Sequence, residues 1–154
     1  MTSLERYNVE NYSQTEEYRI RQYQTKKKNH THKSSKPEDD FELFLQNNNI
    51  DYIRNREPDE RYPFVCDYYI PSKDLFIELN LYWTHGNKRY EGTNEDILQI
   101  YKWFVKNSDS YNAAIEVWSF RDVKKIDTAK NNNLNYITFY KYDEIKMLEE
   151  IMKF

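Results

Sequence analysis

Asp67 and Glu78 are carboxylates set where apolar side chains are expected, inside residues 62–86, YPFVCDYYIPSKDLFIELNLYWTHG. Residues 62–70 are rich in aromatic and β-branched side chains, Pro71-Ser72-Lys73-Asp74 is turn chemistry, and residues 75–81 form a second apolar run. The stretch therefore predicts two strands joined as a hairpin, with one carboxylate on each. Burying either charge is costly unless something compensates it, and a divalent cation compensates both. Each side chain would give oxygen to a hard cation, with water and phosphate in the remaining positions. A centre of that kind hydrolyses phosphodiesters, because the metal polarises the phosphoryl group and lowers the pKa of a bound water. The plainer alternatives stay open: an edge or turn-facing aspartate at Asp67, and a solvent-facing strand position at Glu78, which alternates with Ile77 and Leu79.

The elements that must hold this pair follow from local signals. Ser35-Lys36-Pro37-Glu38 is a capping box that opens a helix, with Phe41, Phe44 and Leu45 as its buried stripe and Asn47-Asn48-Asn49 as its end. Glu38 then either closes the cap or points off the helix end toward a metal. Residues 50–55 read as a first strand and 56–61 as a charged turn, so the hairpin completes a three-stranded antiparallel meander. A loop with Trp83, His85 and Gly86 follows. Thr93-Asn94-Glu95-Asp96 starts an amphipathic helix with Ile97, Ile100, Tyr101, Phe104 and Val105 on one face. Residues 113–118 read as a short apolar strand, central and parallel because a helix precedes it. Residues 121–130 read as a basic helix, 134–140 as a strand, and 142–153 as a closing helix with Ile145, Leu148 and Ile151 inward. The expected order is α-β-β-β-α-β-α-β-α, an α/β fold with helices on both faces of the sheet.

At 154 residues the chain suits one domain with a proper core, and its 15 Tyr, 8 Phe and 3 Trp supply large side chains to bury. No apolar run approaches the ~20 residues of a membrane helix, and the N-terminus has no signal-peptide pattern. The single cysteine, Cys66, excludes an internal disulfide framework and fits a reducing cytoplasm. Charge is uneven: residues 1–36 carry 8 Lys/Arg against 4 Asp/Glu, and residues 37–154 carry 15 against 22. A basic arm over 1–36 and an acidic body over 37–154 suit phosphate binding by the one and cation binding by the other; the alternative is a merely solvated terminus. Within the arm, residues 15–28 read as a polar helix with Thr15 as its cap, and His30 and His32 lack the partners of a zinc site.

FVCDYYIPSKDLFIELN followed by WTHG resembles the core of the PD-(D/E)xK nuclease superfamily, and more narrowly the very-short-patch-repair-like and EDxHD homing endonucleases found in phages. RDVKKIDTAKNNNLNYITFY is similar to the ending of those proteins, SKPEDDFELFL to their opening helix, and LERYNVENYSQTEEY to nuclease-associated modular DNA-binding elements. The resemblance implies a restriction-endonuclease-like core, DNA as partner, Mg2+ (with Mn2+ able to substitute) as cofactor, and a homodimer as one option for assembly. Residue by residue it implies Asp67, Glu78 and Glu38 at the metal, His85 as the group that handles the proton, and Asp122 as its support. His85 also reads as a plain loop histidine and Arg121-Asp122 as a plain helix start. Asn80 departs from the pattern, since a lysine is usual there, and a catalytically inactive DNA-binding protein on the same scaffold is the alternative function. For substrate grip, Lys26, Lys27 and Lys28 on the arm and Arg121, Lys124, Lys125 and Lys130 on the basic helix would contact phosphates. Tyr82 and Trp83 would stack on bases or serve as core residues.

Overall fold

The computed structural model of the protein describes residues 36–154, and Pro37–Phe154 form one compact unit. The elements run α1 (Lys36–Asn47), β1 (Ile53–Arg56), β2 (Cys66–Ile70), β3 (Leu75–Leu79), α2 (Asn94–Lys106), α3 (Asp109–Glu116), a π-helical turn (Val117–Arg121), α4 (Asp122–Asn131), β4 (Asn135–Phe139) and α5 (Glu144–Met152). Short 3-10 turns lie at Pro71–Lys73 and Trp83–His85. The strands form one sheet in the order β1-β2-β3-β4, the first three as an antiparallel meander and β4 parallel to β3. A parallel neighbour requires a crossover, and α2, α3 and α4 supply it.

The sheet is covered on both faces, which makes the fold α/β. Leu75, Ile77 and Leu79 of β3 pack with Phe41, Phe44 and Leu45 of α1 and with Met147 and Ile151 of α5. Phe76, between them, turns to the other side, where it meets Tyr62, Cys66 and Ala129 of α4. Being buried along its whole length, β3 is the strand on which both layers rest. A separate cluster joins Trp103 of α2, Ala114 of α3 and Trp118 of the π turn.

Local chemistry explains most boundaries. Asp74, in the left-handed region at φ 48, closes the β2–β3 turn, and Arg61 braces it with two 2.8 Å hydrogen bonds to its carboxylate. Thr93 and Asp96 make the reciprocal capping box at the start of α2. The capping box expected at Ser35 and the features of the arm (Thr15, Lys26, Lys27, Lys28, His30 and His32) lie outside the described residues.

Three expectations are corrected. Residues 113–118 are not a strand: Asp109–Glu116 is helical, capped by Ser108 Oγ, which accepts from Tyr111 N, and the chain runs on through the π turn into α4. A short apolar run does not distinguish strand from helix by pattern. Here helical spacing sets Ala114 and Trp118 together against Trp103, and that burial decides the outcome. On α2 the face bearing Ile97, Tyr101, Phe104 and Val105 points outward, and the helix buries Asp96 and Trp103 instead. On α5 the inward residues are Met147, Leu148 and Ile151, with Ile145 exposed.

Candidate active site

The antiparallel register pairs Tyr68 with Ile77, and one further step sets Asp67 opposite Glu78. At that step the backbone ladder gives way to the two carboxylates. Glu78 Oε1 accepts the Asp67 N–H at 2.9 Å, and Asp67 Oδ2 accepts the Leu79 N–H at 2.8 Å. Each acid thus satisfies an amide on the other's strand that would otherwise be left without a partner. The strands are splayed and stitched in one place, and two negative charges are held side by side.

The electrostatics follow from that arrangement. Burial, and then the Glu78 charge beside it, push the Asp67 carboxyl up to about 7, and Glu38 raises it further, while the Leu79 amide and Lys125 pull it down. Glu78 is almost wholly buried, and its second oxygen, Oε2, accepts the Tyr62 hydroxyl at 2.6 Å and lies 3.3 Å from Lys125 Nζ. Burial and the Glu78 charge drive the Tyr62 hydroxyl far above its usual pKa, so it remains a donor. Tyr136 of β4 stands 3.1 Å from that hydroxyl and continues the network.

His85 closes its 3-10 turn with Nδ1 2.6 Å from Asp122 Oδ2. Gly86, at φ 71, ends the turn, and a Cβ there would overlap the Trp118 indole. Trp118 donates its indole N–H to the Lys88 carbonyl at 2.7 Å, which ties the loop to the π turn. A π turn adds a residue to the helical repeat and so re-aims the side chains of the helix beyond it. On α4, Asp122 and Lys125 are three residues apart and share a face. Asp122 engages His85 and Lys125 engages Glu78, so one helix braces the imidazole and the acid pair. The Tyr140 hydroxyl is buried without a hydrogen-bond partner among the described residues, and burial pushes it up to about 12, with Asn80 lowering it and the Asp122 charge raising it.

Among the residues expected at the site, Asp67 meets Glu78 across the hairpin and His85 meets Asp122, and α4 touches both pairs through Asp122 and Lys125. Glu38 sits in the first turn of α1 with Oε2 3.3 Å from Arg54, close enough for its charge to raise Asp67. Asn80 is buried just past the end of β3, its backbone N–H donating to the Phe139 carbonyl at 2.8 Å. Arg121, the last residue of the π turn, and Lys124 on α4 are exposed. Lys125 is turned inward to Glu78, in contrast to the outward role expected of it. Trp83 is partly exposed and packs edge-on against Trp103 and at a tilt against Tyr111, at centroid distances of 5.7 and 5.0 Å. Sequence reasoning missed Tyr62 and Tyr136; a signal for the inward Lys125 was available in its helical spacing from Asp122.

Among the described residues, no group of three or more His, Cys, Asp or Glu side chains is arranged as a metal cage. The chemistry of the pair nevertheless fits a cation of the magnesium class, which takes one or two carboxylates and completes its shell with water and substrate phosphate. Asp67 held near neutrality by burial and an adjacent carboxylate is the electrostatic situation such a cation relieves. No protein-family model matches the chain, and neither a curated protein nor a solved structure does.

Proposed function

We propose that the protein is a metal-dependent DNA endonuclease on a restriction-endonuclease-like scaffold, of the homing type found in phages. The observation that carries the reading is the reciprocal stitch of Asp67 and Glu78 across β2 and β3, with Asp67 raised to about 7 and an imidazole–carboxylate pair braced by the same helix. Asp67 and Glu78 would hold Mg2+ or Mn2+, with Glu38 adding negative charge nearby. When bound there, the cation supplies polarisation of the phosphate and a more acidic water.

The chain's own groups divide the remaining work. Asp122 holds His85 at Nδ1, which leaves Nε2 as the nitrogen that exchanges a proton with a reacting oxygen. Lys125 brings a positive charge to Glu78 from α4, where the expected lysine on β3 is replaced by Asn80. That charge stabilises the phosphorane oxygens as negative charge builds on them. Arg121 at the end of the π turn and Lys124 on α4, both exposed, bind flanking phosphates without regard to sequence.

The test is strand scission of supercoiled plasmid in Mg2+ or Mn2+ by wild type and Asp67→Ala purified in parallel. Relaxation or linearisation by wild type, lost in the variant, supports the reading; equal activity in both, or none in either, opposes it. One observation favours a second reading, a catalytically inactive DNA-binding protein: Tyr62 and Lys125 already occupy Glu78 Oε2. That version predicts salt-sensitive DNA affinity that is the same with and without divalent cations.

A further inference from the structure

The outward face of α2 belongs to no part of the site described above. Ile97, Leu98, Tyr101, Phe104 and Val105 are exposed by 53 % (Ile97) to 65 % (Phe104) of their surface. Scattered apolar residues at a surface are ordinary, but these are large and contiguous on one helix. At 3.6 residues per turn they form a continuous stripe over roughly a third of the circumference. The helix is anchored on the opposite side through Trp103 and Asp96, so the stripe is presented by a fixed element rather than a frayed one.

The geometry points to a second copy of this chain as the occupant: we propose that two copies pair through α2 in antiparallel orientation about a twofold axis near Tyr101. The stripe is centred on Tyr101, so a half-turn about that residue lays Ile97 and Leu98 against Phe104 and Val105 of the second copy. Such an isologous contact needs only one patch, complementary to itself. The charges select the direction. Glu95, Lys102 and Lys106 follow one another along one flank of the stripe, acidic at the start of the helix and basic at its end. In an antiparallel helix pair each flank meets the same flank of its partner reversed, which sets Glu95 beside Lys106 of the second copy at both ends and leaves the two Lys102 side chains, near the axis, as the one like-charge approach. A parallel pair would instead set this flank against the opposite one, so that Glu95 and Lys106 of the two copies would not meet. A single helix face is small beside the ~800 Å² per partner of a standard interface, so the association is in the micromolar range rather than tighter.

The experiment is sedimentation velocity on the full chain across concentrations on the order of 1 to 100 µM. The expected result is a shift from monomer toward twice the monomer mass, lost in Tyr101→Glu and in Phe104→Glu with unchanged far-UV circular dichroism. Ile97→Lys gives the same reading should either variant fail to fold. Lys106→Glu weakens the dimer and Lys106→Glu with Glu95→Lys restores it. A chain that stays monomeric throughout, whether its own remaining segment or another partner covers the stripe, overturns the proposal. So does a dimer that survives Tyr101→Glu and Phe104→Glu, or a charge exchange that fails to restore pairing. None of these outcomes depends on nuclease activity.

Discussion

A carboxyl raised to about 7 keeps its proton in the folded chain long after the unfolded chain has lost it. Between about pH 4, the ordinary range of an aspartate, and pH 7, unfolding therefore releases a proton from Asp67, and stability falls as pH rises. Asp74 and Asp96, each held at about 2 by Arg61 and Lys88 respectively, act with the opposite sign but lose their contribution only below about pH 4. Thermal melts in a chelator should accordingly show a lower Tm at pH 8 than at pH 5. Asp67→Asn should remove most of that difference and raise the Tm at pH 8, because the buried charge is gone. At the neighbouring pair, His85→Ala should lower DNA cleavage by about 10²- to 10⁴-fold, the usual contribution of a positioned proton-transfer group. The measurement is single-turnover cleavage, and an unaltered melt for the variant separates chemistry from folding.

The elements around the site can be tested through the loop that holds His85. Gly86→Ala forces a Cβ into the Trp118 indole at a left-handed φ, so overpacking and backbone strain act together. A loss of about 1–3 kcal/mol is expected in urea denaturation, with reduced cleavage because the imidazole is displaced. Elements differ in how far local sequence determines them. The β2–β3 hairpin was legible because turn residues and alternation are local, and its pairing alone brings Asp67 to Glu78. The Thr93 cap was legible for the same reason. Residues 113–118 were misread because their composition serves a strand and a helix equally, and the deciding contact, Trp118 on Trp103, is tertiary. On α2 the spacing revealed an apolar face but not its direction. Tyr62 reaches Glu78 from outside the paired strands and Tyr136 joins it from β4, so no local pattern marked them as members of the site, whereas the inward turn of Lys125 was legible in its spacing from Asp122.

Over the whole molecule, the acidic body presents positive charge near the site on α4. Lys124 is exposed there and Arg121 is exposed just before it, at the end of the π turn, while Asp122 and Lys125 turn inward. Replacing Arg121 and Lys124 by Ala should weaken binding to any duplex and reduce the slope of log affinity against log salt by about 1 for each phosphate no longer neutralised. Fluorescence anisotropy over a salt series measures this, and an unchanged slope would remove α4 from the interface. No helix of the described residues is long and apolar enough to cross a membrane.

The paired carboxylates are the centre of the account, and Mn2+ titration of the metal-free chain addresses them most directly. Binding followed by calorimetry near pH 6.5 in two buffers of different ionisation heat should show one class of site with release of a proton as Asp67 ionises, and Asp67→Asn and Glu78→Gln should each abolish it. Mn2+ binding that is absent from the wild type, or that survives both substitutions without proton release, would contradict it.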